Sequence, residues 1–177
     1  MNFYFRTNLN KKIGIGHYMR CRRLADYFKK KGHKSFIFVD SKKEVPKQEK
    51  NILEMYNVNQ NFQSQILDAS KFIKKIKNGQ SGYVIVDDYR LGALWEKKIS
   101  KHSKKIISID DFENRKHFSD IYINQKTKFL INNKIKSKIF LKKNTKQLLG
   151  PDYSIIDKTI KTKKSNQFTL IFNFGGS

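Results

Sequence analysis

The sequence predicts an α/β fold: an open, doubly wound, mostly parallel sheet covered by helices on both faces. Three observations carry this. Strand-like and helix-like runs alternate along most of the chain. The runs Tyr83-Val84-Ile85-Val86-Asp87 and Ile106-Ile107-Ser108-Ile109-Asp110 are nearly continuous in apolar character, as strands covered on both faces are. The first strand-like run leads through a glycine loop into a helix, an arrangement that bends the backbone sharply and aims free N–H groups at an anion.

Taken in order, Phe3-Tyr4-Phe5 reads as the first strand. The loop Ile13-Gly14-Ile15-Gly16-His17-Tyr18-Met19-Arg20-Cys21 follows, and Tyr18, Cys21, Leu24, Ala25 and Phe28 share one face of a helix that Gly32 can stop. Ser35 to Asp40 reads as a second strand, and a polar stretch through Pro46 leads to a weak helix around Gln48 to Tyr56. Ile66, Ala69, Ile73 and Ile76 have the spacing of another helix, ending near Asn78-Gly79. Beyond the strand at Tyr83–Asp87, Leu91, Leu94, Trp95 and Ile99 form a helical stripe, with Trp95 read as core. The strand at Ile106–Asp110 comes next, and Asp120-Ile121-Tyr122-Ile123-Asn124 reads as a further one. Leu148-Leu149-Gly150-Pro151-Asp152-Tyr153 is a turn-rich break, followed by a lysine-heavy linker. Phe168 to Phe174 then reads as a new strand entering Gly175-Gly176-Ser177. The expected organisation is a first domain over 1–147, a linker over 148–167, and the opening strand and glycine turn of a second domain over 168–177, where the sequence looks cut off.

Composition narrows the function. No apolar run approaches the ~20 residues of a membrane span, and the first residues lack the form of a signal peptide. The single cysteine, Cys21, permits no internal disulfide and fits a reducing cytoplasm; its place on the helix face reads as core rather than nucleophile. The net charge of +23 invites a nucleic-acid reading, but nearly all of it is lysine scattered along the chain, and no nucleic-acid motif accompanies it. Arginine, which grips anions with a planar fork, is scarce. Arg6, Arg20, Arg22 and Arg23 lie in or beside the opening strand-loop-helix, leaving only Arg90 and Arg115 elsewhere.

Ligands of open α/β sheets bind beyond the carboxyl ends of the strands, where the glycine loop, the Asp87-Asp88-Tyr89 turn and the Asp110-Asp111 turn should emerge. A phosphate or sugar site containing an imidazole is therefore expected at His17, with Gly14, Ile15 and Gly16 offering backbone and Arg20 one turn further on. The bland alternative is a histidine that caps the helix. An imidazole with an ordinary pKa of ~6.5, beside a helix N-terminus and arginines, is expected to be neutral and able to take a proton from water. The aspartate pairs suit helix caps and hydrogen bonds to sugar hydroxyls or amides, with Mg²⁺ as the alternative. Tyr89 reads as a lid over the sugar or a rim aromatic. Arg6 and Arg20 either bind acidic or acetamido groups or lock the aspartates in salt bridges. His33, His102 and His117 show no shared spacing.

The opening motif, with Arg6, Leu24 and Ala25, resembles the N-terminal signature of the pseudaminic-acid pathway UDP-sugar hydrolases. Val86-Asp87-Asp88-Tyr89, Ile109-Asp110-Asp111, Asp120 to Asn124, Leu149 to Tyr153 and Phe174 to Ser177 match further blocks of that family in order. The resemblance implies a Rossmann-like N-terminal domain of a two-domain, glycosyltransferase-B-like fold. It implies removal of UDP from UDP-2,4-diacetamido-2,4,6-trideoxy-β-L-altropyranose by water, with inversion and without metal or other cofactor. The family's catalytic histidine falls on His17 and its active-site tyrosine on Tyr89; the substrate-side set is then Arg6, Gly14, Ile15, Gly16, Arg20, Asp88 and Tyr89. Gly175, Gly176 and Ser177 would touch the nucleotide. Ile155-Ile156-Asp157 departs from the family's Leu-Arg-Pro. The expected protein is a cytoplasmic monomer when complete, with no membrane or nucleic-acid partner. A glycosyltransferase of the same fold, or a non-catalytic binding fragment, are the rival readings.

Overall fold

The computed structural model describes residues 1–9, 14–46, 49–55, 58–59, 61–76, 82–112, 114–126 and 141–156. They form a seven-stranded parallel sheet in the order β3-β2-β1-β4-β5-β6-β7. The strands are β1 (Asn2–Thr7), β2 (Lys34–Val39), β3 (Ile52–Glu54), β4 (Tyr83–Asp87), β5 (Lys105–Ile109), β6 (Ile121–Asn124) and β7 (Lys146–Leu149). The helices are α1 (Gly16–Lys30), α2 (Phe62–Ile76) and α3 (Ala93–Ile99). No helix among the described residues is long and apolar enough to cross a membrane.

β1 lies at the centre because its residues are apolar on both faces. Successive strand side chains point to opposite sides. Phe3 and Phe5 accordingly join Tyr18, Cys21, Ala25, Ile37, Val39, Ile85 and Ile109 in a core under α1. Tyr4 joins Phe38, Phe72, Val84, Val86, Trp95 and Ile106 in a second core under α2 and α3. Helices thus cover both faces, as the alternation predicts. Trp95 is fully buried in the second core, and Cys21 in the first, where burial and the neighbouring Asp87 push its thiol well above the ordinary range. That thiol is a packing group.

Two elements differ from the sequence reading. Within the weak helix expected around Gln48–Tyr56 the chain instead forms β3: Ile37 N–H donates to the Asn51 carbonyl at 3.0 Å and Met55 N–H to Val39 at 2.6 Å. Asn51 sits at φ 63°, which an α-helix cannot accommodate, so sheet pairing overrides the weak local preference. β7 occupies the start of the expected break. Its register, Ile121↔Lys146 to Asn124↔Leu149, adds a polar strand before Gly150 turns the chain at φ 96°. The stretch over 157–177, including the expected strand at 168–174 and Gly175, Gly176 and Ser177, lies outside the described residues.

β1 and β4 approach so closely at their start that Gly82 has no room for a side chain. A Cβ there would lie 2.4 Å from the Asn2 carbonyl oxygen and 2.8 Å from the Tyr4 ring. Gly82→Ala is expected to destabilise the protein by about 1–3 kcal/mol, the usual penalty for overpacking, read as a lowered urea midpoint with an unchanged slope.

Candidate functional site

A crevice opens in a doubly wound sheet where neighbouring strands send their connections to opposite faces. Here that place lies between β1, followed by α1, and β4, followed by α3. β4 delivers Asp87 to the crevice, and the chain continues through Asp88, Tyr89 and Arg90. The alternation of β4 sends Ile85 and Asp87 toward α1, and Val86 and Asp88 toward α2 and α3. β5 repeats this, so that Asp111 lies with α1 and Asp110 with α3. Each aspartate doublet is therefore split across the sheet.

The glycine loop starts α1 without side-chain help. Gly14 has φ 80°, a left-handed conformation that glycine adopts without steric cost. The Ile15 carbonyl accepts the first helical bond from Met19 N–H at 2.9 Å. No side chain caps the helix and no acid stands in its first turn, so its leading N–H groups remain for solvent or a ligand. Beside Gly16 lies open space, and Ile15 is exposed.

His17, in that first turn, meets Asp87 across the crevice: Nδ1 is 2.7 Å from Oδ1. Arg20, one turn further on, grips the same carboxylate with two donors, Nε to Oδ2 and Nη2 to Oδ1, both at 2.7 Å. Its Nη1 donates to Asp111 Oδ2 at 2.7 Å. An arginine fork holds Asp87 as an acceptor, so His17 Nδ1 donates and carries a hydrogen. In the neutral ring this leaves the lone pair on Nε2, which has no hydrogen-bond partner among the described residues. The His17 side chain is 12% exposed, while Asp87 is fully buried. Tyr89 completes the setting: its ring stands edge-on to the imidazole, centroids 4.4 Å apart, and its hydroxyl donates to Asp111 Oδ2 at 3.2 Å. Burial and Asp111 raise the Tyr89 phenol above its ordinary pKa and keep it a donor.

His17, Arg20, Tyr89 and the Gly14-Ile15-Gly16 loop thus come together. Arg20 is committed to two carboxylates and holds the imidazole's partner rather than offering a free fork to substrate. Arg6 and Asp88, which the resemblance puts on the substrate side, are both buried in ion pairs on the α2 face, the alternative role that the residues offer for Arg6. Arg6 is fully buried on the α2 face. Its Nη2 lies 2.9 Å from both Asp40 and Asp68, and its Nη1 donates to the Thr7 carbonyl at 2.8 Å. Asp88, also buried, accepts from Arg90 Nε at 2.9 Å and Nη2 at 2.7 Å. Trp95 Nε1 donates to Asp68 at 2.8 Å, tying these charges to the core.

The residues alone did not point to Asp87 as the imidazole's partner, nor to His117. His117, on the β5–β6 connection, is buried with Nδ1 2.7 Å from Glu96 Oε1 of α3 and Nε2 2.9 Å from Asp110 Oδ2. Burial by itself would lower its pKa, but the bonds to Asp110 and Glu96 prevail and raise it to about 9. Burial opposes the ionisation of Asp110, yet His117 and Arg115 hold its pKa down at about 2. Among the described residues no group of three or more His, Cys, Asp or Glu is arranged to hold a metal ion. A cleft of about 650 Å³ opens beside Tyr89, lined by Leu91, Leu94, Phe112, Arg115 and Lys116 among others.

No family model matches the chain. An uncharacterized protein of Methanocaldococcus jannaschii is similar to it, 25% identical over 183 aligned positions that cover 97% of this chain and 36% of the relative. The chain therefore spans about a third of the length of the curated relative it matches.

His117 links stability to pH. Its pKa is about 9 folded, against an ordinary ~6.5 unfolded, so its contribution is complete below ~6.5 and is lost as pH rises through 9. Unfolding free energy is expected to fall by up to about 3 kcal/mol between pH 6.5 and 9.5, and His117→Gln to flatten that slope. Chemical denaturation across the pH range checks both.

Proposed function

We propose that this chain carries the catalytic half of a nucleotide-sugar hydrolase, in which His17 activates water against the anomeric carbon of a UDP-activated amino sugar. The observation that carries the reading is the 2.7 Å bond between His17 Nδ1 and buried Asp87, in the crevice at the strand-order reversal. It supplies what a general base near neutral pH requires: a fixed tautomer, a basic Nε2, and a carboxylate that stabilises the imidazolium once it forms.

In the proposed step a water oxygen bonds to C1 as its proton passes to His17 Nε2. The C1–O bond to UDP breaks and the electron pair leaves with the diphosphate. Attack from the face opposite the leaving group gives inversion. The transition state is oxocarbenium-like, so a placed water and a stabilised leaving group can suffice. Tyr89 would wall the sugar beside the imidazole, and the uncapped start of α1 favours a negative charge nearby. The resemblance of the opening motif to the pseudaminic-acid pathway hydrolases supports the choice of a UDP-diacetamido-trideoxy sugar as substrate. Nucleotide contacts would fall on Gly175, Gly176 and Ser177. Asp88, Asp110 and Asp111 are engaged with Arg90, Arg115, His117 and Arg20, which leaves them structural roles in this scheme, while Asp87 orients the imidazole.

The test is release of UDP from UDP-sugars, without any acceptor, by the product of the whole reading frame that contains this chain. Hydrolysis by the parent is expected, and His17→Ala should lower kcat about 10²-fold or more with folding retained. UDP release that depends on an added sugar acceptor would instead mark a transferase. Equal turnover in the parent and in His17→Ala would remove His17 from the mechanism.

A further inference from the structure

We infer that Arg115 is a positioning residue for His17, acting through Tyr89 as the tie between the charge networks on the two faces of the sheet. The inference rests on the hydrolase reading for its catalytic consequence, but its geometry stands independently. The described residues between β5 and β6 form no helix or strand, and such a connection needs side-chain bonds to stay in one place. Arg115 supplies them. Its Nη1 donates to the carbonyls of Asp88 at 3.0 Å and Leu91 at 2.7 Å, fixing the β4–α3 loop on either side of Tyr89. Its Nη2 and Nε lie 3.1 and 3.3 Å from Asp110 Oδ2. Its guanidinium carbon stands 5.3 Å from the Tyr89 ring centroid, a cation–π contact.

Asp110 is itself fixed from behind. His117 Nε2 shares its Oδ2, while His117 Nδ1, the Ser108 hydroxyl and Phe118 N–H all meet the buried carboxylate of Glu96 on α3. The chain of contacts therefore runs from α3 through Glu96, His117, Asp110 and Arg115 to Tyr89. Tyr89 then reaches the α1 side, edge-on to His17 and bonded to Asp111, which Arg20 also holds. Without Arg115 the Tyr89 loop keeps neither its two carbonyl ties nor its stacked cation. The imidazole then loses the wall that holds it in line with Asp87. A lysine could keep the charge over the ring, but its single nitrogen cannot reach two carbonyls and a carboxylate in a plane.

The experiment is Arg115→Met and Arg115→Lys in the parent chain, read by ¹⁵N NMR of the histidine rings and by steady-state UDP release. The ¹⁵N shifts report which His17 nitrogen carries the hydrogen. In the parent they should show a single Nδ1–H tautomer. In Arg115→Met they should move toward the averaged pattern of a free imidazole, with kcat down about tenfold or more and KM within about threefold. Arg115→Lys should fall between. A merely structural role would lower the melting temperature and leave the His17 shifts and kcat unmoved, and that result in a folded variant overturns the inference. Should Arg115→Met fail to fold, unmoved shifts in Arg115→Lys overturn it equally. A parent that releases no UDP while its shifts still follow Arg115 sinks the hydrolase reading and keeps the tie; the reverse pattern sinks the tie alone.

Discussion

The arrangement depends on one buried carboxylate. Asp87, at the end of β4, has no exposed surface and accepts a two-pronged bond from Arg20 together with the hydrogen of His17 Nδ1. An ionised carboxylate stripped of water is tolerated only with such partners, and removing one from a buried pair costs on the order of 3–5 kcal/mol. The first turns of α1 are consequently held against the end of β4, and the imidazole inherits its orientation from the same contact that satisfies the buried charge. Fold and site are joined at that atom pair.

Around it, strand parity distributes the other charges. Adjacent residues of a strand face opposite ways, so Asp87 and Asp111 are delivered to α1 while Asp88 and Asp110 are delivered to α2 and α3. Arginine ties carboxylates together on both faces: Arg20 joins Asp87 and Asp111 on one, and Arg6 and Arg90 hold Asp40, Asp68 and Asp88 on the other. The abundant lysine that dominates the charge of +23 takes little part; the arginines hold nearly every buried carboxylate by virtue of their planar, multi-donor geometry. This gives the scarcity of arginine in the sequence a physical sense.

Much of this was legible in advance. The strand at 83–87 betrays itself by continuous apolar character, α1 by its 3.6-residue stripe, and the juxtaposition of His17, Arg20 and Tyr89 by a glycine loop joining the two kinds of element. β3 was not, because three residues with weak preferences become a strand only when β2 is there to pair with. β7 was not, because an edge strand such as Lys-Gln-Leu-Leu needs little apolar character. The residues leave Arg6 open between anion binding and salt bridges to aspartates; strand parity with Tyr4, which faces α2, sets it among Asp40, Asp68 and Asp88. The same parity would have separated the aspartate doublets. His117 gave no signal at all: its partners Glu96 and Asp110 are brought to it by tertiary structure, with no spacing to announce them.

If Asp87 works through His17, its substitution must matter only while the imidazole is present. The decisive measurement is a double-substitution cycle, Asp87→Asn and His17→Ala alone and together, scored by kcat for UDP release in variants shown to be folded. The account expects Asp87→Asn to lower kcat about 10²-fold in the parent and by little more than the experimental error in the His17→Ala background. Equal losses in both backgrounds would mean that Asp87 and His17 act independently, and the coupled pair would have to be abandoned.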